Sequence, residues 1–574
     1  MDDDIVPFSQ LAHEAFESNP ADQILGPTNF EGSFLSPQQA GYAAKGPNGN
    51  GIVVTHDPLS GKHGKLINDP IHGAYRLDPA CTLIFDTREF QRLRRLKQLG
   101  MAYYVFPGAS HNRFEHSLGV AHLAYRFATQ LWHAQPQELE IDRSDIRVVG
   151  LAGLCHDLGH GPFSHVFDRE FLRQKGIFNW EHEEMSAKML DHIIDENQID
   201  VFSENDLCRI KKLITSGHEA PPKSPEASTT TASATPSENR WLGEIVANGR
   251  NSIDVDKFDY LARDAYYCGT KVACDFSRIM QFSRVIGDEI CYKYTEYMNL
   301  HELFHARATM HRSVYTHKKS KAIEFMVVDA LLEAEPALRI CDKIYNPKDF
   351  VLLDDGILDL IENFDVLGPL LNNVDEGHHA RIKSAQAIIS RLRKRQLYKY
   401  VTDAPVPVEA LERGQWVPPT PQDIVSHYHG NGDVQLSIDD VLMHEHKIDY
   451  SMSNKNPLDN VHFYDYIGDP NKRKLRTDQI SSMVVSAFQE KRIRLYSRNA
   501  DPKVITALHE AFESWLRYRF GGHVEASTPA KPLRQQQAAE GLATTRAMKR
   551  GRNLFAGNGG GGGDDRSTKQ ACGV

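Results

Sequence analysis

The run LAGLCHDLGHGPFSH, Leu151–His165, decides the reading of this 574-residue chain. It closes the segment SDIRVVGLAGLCHD, where Ser144 is placed as the N-cap and Ile146, Val149 and Gly153 lead along one helix to His156 and Asp157. Gly159, Gly161 and Pro162 then end the helix, so backbone and a ligand can come close. Neighbouring side chains on a helix point about 100° apart. His156 and Asp157 can still reach one ion near the helix end if His116 and Asp256 approach from other helices. Two imidazoles and two carboxylates form a nitrogen/oxygen set suited to a first-row transition metal. Burying that much polarity is costly unless a metal or substrate satisfies it. His160 and His165 follow in the turn and His182 in WEHEE, adding imidazoles suited to proton transfer and to binding a polyanion. A metal here would make a water acidic and polarise a phosphoryl oxygen, so phosphate ester hydrolysis is the expected chemistry. Singly, each ligand has a bland reading: a chance His-Asp pair, a core histidine, a helix-capping aspartate. Their joint occurrence around HDLGHGP favours the site.

Outward from this run, the chain reads as a soluble globular protein. Hydrophobic content of 41% and charged content of 25% are ordinary, and the length leaves room for more than one domain. No apolar run approaches the ~20 residues of a membrane span. The start, MDDDIVPF, lacks the layout of a secretory or transit signal, so cytosol or nucleus is expected. Eight cysteines without a CxxC pair read as reduced thiols, and Cys155 as core packing. A net charge of −10 disfavours broad nucleic-acid binding. The basic clusters Arg92, Arg94, Arg95, Lys97 and RLRKR (Arg391–Arg395) read equally as solvated helix faces or as seats for phosphate-rich ligands.

The expected fold is mainly α, a helical catalytic core with a smaller C-terminal α+β lobe. Residues 1–61 read as a loosely ordered leader and 62–418 as the helical domain. That domain is interrupted at about 219–239 by a low-complexity linker containing PPKSPEASTTTASATPSEN. In DTREFQRLRRLKQLG, Phe90, Leu93, Leu96 and Leu99 have the spacing of an amphipathic helix. After His182, the stripe Met185, Met189, Leu190 and Ile193 reads as core. HKIDY (446–450), VHFYDY (461–466) and RIRLYS (492–497) read as strands of a lobe over 419–524. The polar tail 525–574, with its run Gly559–Gly563, reads as disordered.

Five strings carry a resemblance: INDPIHG (Ile67–Gly73), YYVFPGASHNRFEHSLGV (Tyr103–Val120), Leu151–His165, IDVDKFDY (Ile253–Tyr260) and KNPLDNVHFY (Lys455–Tyr464). They resemble the HD-domain phosphohydrolase superfamily. Within it they are most similar to the deoxynucleoside triphosphate triphosphohydrolases whose HD domain follows a sterile-alpha-motif domain. The likeness spans roughly Lys62 to Arg519, and too few patterned residues precede Lys62 to make that extra domain expected here. The resemblance implies cleavage of a dNTP, dGTP included, at the α-phosphorus, giving a deoxynucleoside and tripolyphosphate. It implies that His116, His156, Asp157 and Asp256 hold iron, zinc or manganese. His165 would work at the α-phosphate, with His160 and His182 assisting. Arg113, Lys257 and Arg307 would grip phosphates. Leu99 and Tyr315 would wall the ribose beside Gln98 and Asp264, with Tyr260 and His311 completing the substrate set.

The same resemblance implies activation by GTP and dNTPs, carried with Mg2+, between subunits of a nucleotide-dependent tetramer. Lys65, Asn68, Asp86, Gln91, Arg94 and Arg395 match a guanine-type activator site. Arg278, Asn299, Lys318, Lys399 and Lys455 match positions around the neighbouring deoxynucleotide. Lys293 and Thr295 depart from the pattern at the second activator site, and Thr316 and Lys321 depart near the substrate base. RAMKRGRNLF in the tail is weakly similar and could act as a nuclear address. Two other readings compete: an HD-type phosphodiesterase or nuclease, and a single-stranded nucleic-acid-binding repair factor.

Overall fold

The computed structural model describes residues 42–45, 51–54, 64–218, 239–367, 376–412, 416–430, 434–451, 455–475 and 488–527. The expected leader, linker and tail fall almost wholly outside these residues. Within the leader, Tyr42–Lys45 pairs antiparallel with Gly51–Val54.

From Gly64 onward the described chain is mainly helical. Its long helices are α1 (Arg113–Ala134), α2 (Arg143–Cys155), α3 (His182–Glu196), α4 (Glu204–Thr215), α5 (Val255–Cys268), α6 (Tyr297–Met310), α7 (Lys318–Leu338), α8 (Glu376–Arg393) and α9 (Pro502–Phe520). Helix α1 packs along α2 and against α5, while α2 also meets α4. Their apolar faces share one core that includes Leu118, Phe127, Val149, Leu154, Cys155 and Phe258. Cys155 is core, as expected, and Met185, Met189, Leu190 and Ile193 of α3 are all buried. No helix among the described residues is long and apolar enough to cross a membrane.

Helix α2 starts two residues before the expected N-cap at Ser144 allows. Asp142, not Ser144, is the N-cap: its carboxylate accepts from the amides of Ser144 and Asp145, and its own amide donates to Asp145 at 2.8 Å. A charged acceptor with a reciprocal partner three residues on makes the stronger cap.

The stretch Asp86–Gly100 is not one amphipathic helix. A single α-turn, Arg88–Gln91, passes into a 3-10 turn, Arg92–Arg95. Leu96 and Gln98 then pair by backbone with Arg113 and His111. Phe90, Leu93 and Leu96 are still fully buried, so the apolar spacing reported the burial correctly while tertiary pairing overrode the helix.

Short sheets brace the helices. Strands β1 (Lys65–Asp69) and β2 (Gly73–Leu77) form an antiparallel hairpin. Strands β3 (Ser283–Ile286) and β4 (Glu289–Lys293) pair antiparallel. The lobe sheet has the order β5–β8–β6, with β5 at Lys399–Pro405, β6 at Val441–Asp449 and β8 at Gln489–Ser497; between β6 and β8 in sequence lies β7 (Phe463–Tyr464). Helix α9 covers this sheet through a second apolar cluster of Ala404, Ile493, Leu495, Leu508, Phe512 and Leu516. Strand β5 lies ahead of residue 418, and the strand read from VHFYDY pairs parallel with β4 rather than joining the lobe sheet.

Candidate metal centre

The HD turn brings four distant side chains together. Nε2 of His116, on α1, lies 3.0 Å from Asp256 Oδ1 at the start of α5 and 3.6 Å from Asp157 Oδ2. Nε2 of His156 lies 3.5 Å from the same Asp256 oxygen and 3.4 Å from Asp157 Oδ1. Ligand atoms about 2.1 Å from one ion sit about 3.0–3.4 Å apart in octahedral or tetrahedral arrangements, so His116, His156 and Asp256, whose ligand atoms all lie within 4.8 Å of one another, are close to the spacing of a shared cation, while Asp157 stands at its edge with Oδ2 held by Arg113.

Each imidazole is also set for ligation from behind. Nδ1 of His156 faces the Gly153 carbonyl at 2.7 Å, and Nδ1 of His116 faces Asp259 Oδ2 at 2.7 Å. Partners on the far nitrogen fix the ring and leave Nε2 for the ion. His156 Nε2 is buried without a hydrogen-bond partner. Burial pulls the His116 imidazole down, but Asp256 and Asp259 outweigh it and push it up to about 10, so the local field favours positive charge at this point. The donors, their spacing and this field fit a divalent first-row cation.

Asp259 is itself anchored. Arg263, fully buried, donates to both of its oxygens at 2.8 Å and to Asp69 at 2.9 Å, while His72 Nε2 lies 2.6 Å away. A Cβ on Gly119 would stand 1.9 Å from Asp259 Oδ1, so only glycine lets α1 approach α5 this closely. Gly159 acts likewise: a Cβ there would lie 2.1 Å from the His182 carbonyl, and its amide donates to Ser186 Oγ at 2.8 Å.

Beside this cluster lies a second one. His160 Nε2 is 3.2 Å from Asp157 Oδ1, and the His160 ring stacks on His182 at 3.9 Å. His165 and His182 both turn Nδ1 toward Asp168 Oδ2, at 3.5 and 3.4 Å. Burial raises the Asp168 carboxyl, but the two imidazoles override it and hold it far below the usual range. Burial, then Arg113 and His182, pushes His160 well below its ordinary value. Burial and then Arg169 lower His165 as well; its side chain is 48% exposed, so solvent relieves part of that desolvation. Both rings are therefore neutral near pH 7 and able to take or pass a proton.

The turn joining the two clusters is strained. Phe163 and Ser164 adopt φ of 61° and 57°, a region disfavoured for side-chain-bearing residues. Asp355 accepts from the Phe163 amide at 2.7 Å, and Ser164 Oγ donates to the Lys97 carbonyl at 2.8 Å. Arg92, read from sequence as part of a basic surface cluster, is instead buried: it donates to the carbonyls of His160 (2.8 Å), Leu353 (2.8 Å) and Leu158 (3.3 Å).

Four of the substrate positions expected from the resemblance, Gln98, Asp264, Tyr315 and Tyr260, are joined through His111 in one chain of contacts. The Gln98 amide donates to the His111 carbonyl at 3.0 Å; His111 Nε2 meets Asp264 Oδ1 at 2.7 Å; the Tyr315 hydroxyl donates to Asp264 Oδ2 at 2.7 Å; and Tyr260 meets Tyr315 edge to face. Leu99 is half-buried against the same core. Arg113 donates to Asp157 Oδ2 at 2.6 Å and to Ser164 Oγ at 2.9 Å. Lys257 lies 3.2 Å from Asp254, and Arg307 donates to the Asp449 carbonyl at 2.7 Å. His311 stands edge-on to Tyr315 at 5.0 Å.

The HD-domain family model matches residues 113–264, the span that carries all four candidate ligands. A Dictyostelium discoideum protein named deoxynucleoside triphosphate triphosphohydrolase SAMHD1 homolog is 38% identical over 78% of this chain and 79% of its own length. The SAMHD1 enzymes of Bos taurus and Homo sapiens are 36% and 37% identical over 85% and 79% of the chain, and 83% and 74% of their own lengths. The chain belongs to the SAMHD1 family of deoxynucleoside triphosphate triphosphohydrolases.

Against that family, the departures from pattern are locally compensated. Lys321 is buried between Glu170 (2.5 Å) and Glu324 (3.2 Å), and Thr316 Oγ1 contacts His446 Nε2. Lys293 lies over the Phe282 ring and Thr295 lies 3.3 Å from Glu296. The positions that the resemblance assigned to activators fall in three groups. Lys65 pairs with Asp86 at 2.8 Å; Gln91 accepts from Arg94 at 2.7 Å, and the Arg94 guanidinium covers the Phe114 ring. Asn68 lies on β1 in the same hairpin. In the second, Arg278 binds Glu296 and Asn299 binds Asp275 through both amide atoms. Lys318 lies over Tyr400, next to Lys399 on β5, and Arg395 donates to the Tyr104 carbonyl. Burial, then the like charges of Lys399, Lys318 and Arg395, lowers the Lys319 ammonium. Lys455 is exposed.

Sequence reasoning missed Asp168, Asp259, Arg263, His111 and Ser164. Asp259 stands one helical turn after Asp256, and Asp168 three residues after His165; that spacing was the available signal.

Proposed function

We propose that the chain hydrolyses a dNTP and water to a deoxynucleoside and tripolyphosphate. The observation that carries this reading is that Asp157 links the two clusters: its Oδ1 faces Nε2 of His156 and also Nε2 of His160, which stacks on His182 beside His165 and Asp168. A first-row cation held by His116, His156, Asp157 and Asp256 would polarise a phosphoryl oxygen and make a water acidic near neutral pH. Breaking the bond from the α-phosphorus to the 5′-oxygen requires a proton on the leaving oxygen. His165, neutral at rest with Nδ1 turned to Asp168, would take a proton from the attacking water and pass it to the leaving oxygen, with the His160 and His182 rings packed edge-on beside it. Arg113, Lys257 and Arg307 hold the polyphosphate. Tyr315, tied to Asp264, walls the sugar and leaves no partner for a 2′-hydroxyl, which favours deoxynucleotides over ribonucleotides.

The proposal extends to regulation. GTP or dNTPs carried with Mg2+ would occupy the Lys65–Arg94 and Arg278–Asn299 groups and, with Arg395, Lys318, Lys399 and Lys455, join subunits into a tetramer. Such an enzyme would control dNTP pools in nucleus or cytosol, from a helical domain over 62–418 and a lobe over 419–524. The test is product analysis on dGTP and the other dNTPs, with and without GTP, alongside sedimentation. Tripolyphosphate, a deoxynucleoside and GTP-dependent assembly are expected. Diphosphate or a nucleoside monophosphate would overturn the reading in favour of a phosphodiesterase.

A further inference from the structure

Helix α6 reads HELFH at His301–His305. The spacing H-E-x-x-H sets two imidazoles one turn apart on a single helical face, the arrangement that chelates a zinc-type cation. The two rings here are nearly parallel, inclined by 8°, with centroids 6.4 Å apart. Both nitrogens of His301 are buried, and neither has a hydrogen-bond partner among the described residues. A neutral imidazole carries one donor and one acceptor, and buried polar atoms almost always find partners. An imidazole with both nitrogens buried and unmatched points to a missing ligand. Nδ1 of His305 lies 3.0 Å from the Tyr450 hydroxyl, and the Tyr450 ring flanks both imidazoles at 6.2 and 6.3 Å. The hydroxyl does for His305 what Asp259 does for His116: it engages one nitrogen and leaves the other to face an ion. Burial lowers His301 below its ordinary value, so the ring is neutral and ready to ligate at pH 7. None of these residues belongs to the HD cluster or to the substrate contacts.

We propose that His301 and His305 chelate a second divalent cation of borderline type, such as Zn2+ or Ni2+, beside Tyr450. A peptidase centre would need a third protein ligand. Among the described residues, the groups of three or more ligand side chains within 4.8 Å of one another are the two at the HD turn, and neither includes His301. The cation is therefore a clip rather than a second catalytic centre. Its position is mechanically telling. Two residues past His305, Arg307 donates to the carbonyl and carboxylate of Asp449, next to Tyr450 at the end of β6. A cation drawing His301, His305 and their tyrosine neighbour together would stiffen the junction between α6 and the lobe strand.

The test uses the full chain, stripped with chelator and re-equilibrated with Zn2+ alone or Ni2+ alone, with metal per chain measured by elemental analysis. The unmodified chain is expected to hold one equivalent more than His301→Gln/His305→Gln. Equal stoichiometry in the two proteins would overturn the proposal. Co2+ gives an independent readout on a chain whose HD site is blocked by His156→Ala: visible ligand-field absorption is expected there and should vanish on adding His305→Gln. His305 is exposed, so this single change leaves the fold intact, which circular dichroism verifies. Cobalt absorption that survives His305→Gln would also overturn the proposal.

Discussion

Asp259 Oδ2 lies 2.7 Å from Nδ1 of His116, on the side of the ring away from the metal ligands. Asp259 therefore sets which nitrogen of His116 carries the proton and where Nε2 points. Asp259→Asn keeps the shape but removes the charge that Arg263 and His72 also balance. Metal affinity should fall by about 10- to 100-fold, as when such supporting partners are lost elsewhere. Elemental analysis under competing chelator measures it; unchanged affinity would mean His116 is oriented by something else.

Arg92 and His160 give a stability prediction. The guanidinium reaches the His160, Leu158 and Leu353 carbonyls from inside the core. Arg92→Met fills the volume but strands those acceptors. With each buried unpaired group worth about 1–3 kcal/mol, a loss of about 3 kcal/mol or more is expected in urea unfolding. A loss below about 1 kcal/mol, within the range of an ordinary surface change, would show that the arginine is not bracing the HD turn.

These two residues show what the sequence could and could not disclose. His156, Asp157 and the histidines of the turn were legible because HDLGHGP concentrates unusual chemistry in a short span, while His116 and Asp256 were reached firmly only through the resemblance of their strings. The α3 stripe was legible because burial follows helical period. Arg92 was not, since a basic residue among basic neighbours reads as surface until the fold shows which carbonyls surround it. The 3-10 break after Gln91 was hidden for a related reason: the pairing of Leu96 and Gln98 with Arg113 and His111 is long-range. Asp168 and Asp259 were visible as letters, but their partners come from distant segments.

Asp168 should separate proton handling from metal binding. It touches His165 and His182 but none of the four ligands. Asp168→Asn is expected to retain the metal while kcat falls on the order of 100-fold, in the range typical of lost acid–base assistance. The pH–rate profile should move as well, because His165 loses the carboxylate that favours its protonated form. A variant with normal kcat and an unmoved profile would remove Asp168 from the mechanism.

The lobe supplies a pH prediction of definite sign. His446, 2% exposed on β6, is lowered to about 3 by burial and then by Arg494 and Arg492; His311 is lowered to about 3 by burial and then by Arg307. In the unfolded chain these rings protonate near 6.5. As pH falls below that value the unfolded state binds protons that the folded state refuses, so stability drops from about pH 6.5 toward pH 3, by up to about 1.4 kcal/mol per pH unit for each ring. Asp355 and Glu244 work the other way: burial raises them to about 6 and about 7, so the folded state holds their protons and gains stability as pH falls through those values. The two opposing sets make the whole-chain curve a poor test, and a difference curve isolates one ring. Stability of the unmodified chain minus that of His446→Gln should decline steadily from pH 6.5 to pH 4. A flat difference over that interval would mean the ring is protonated in the folded state despite its burial.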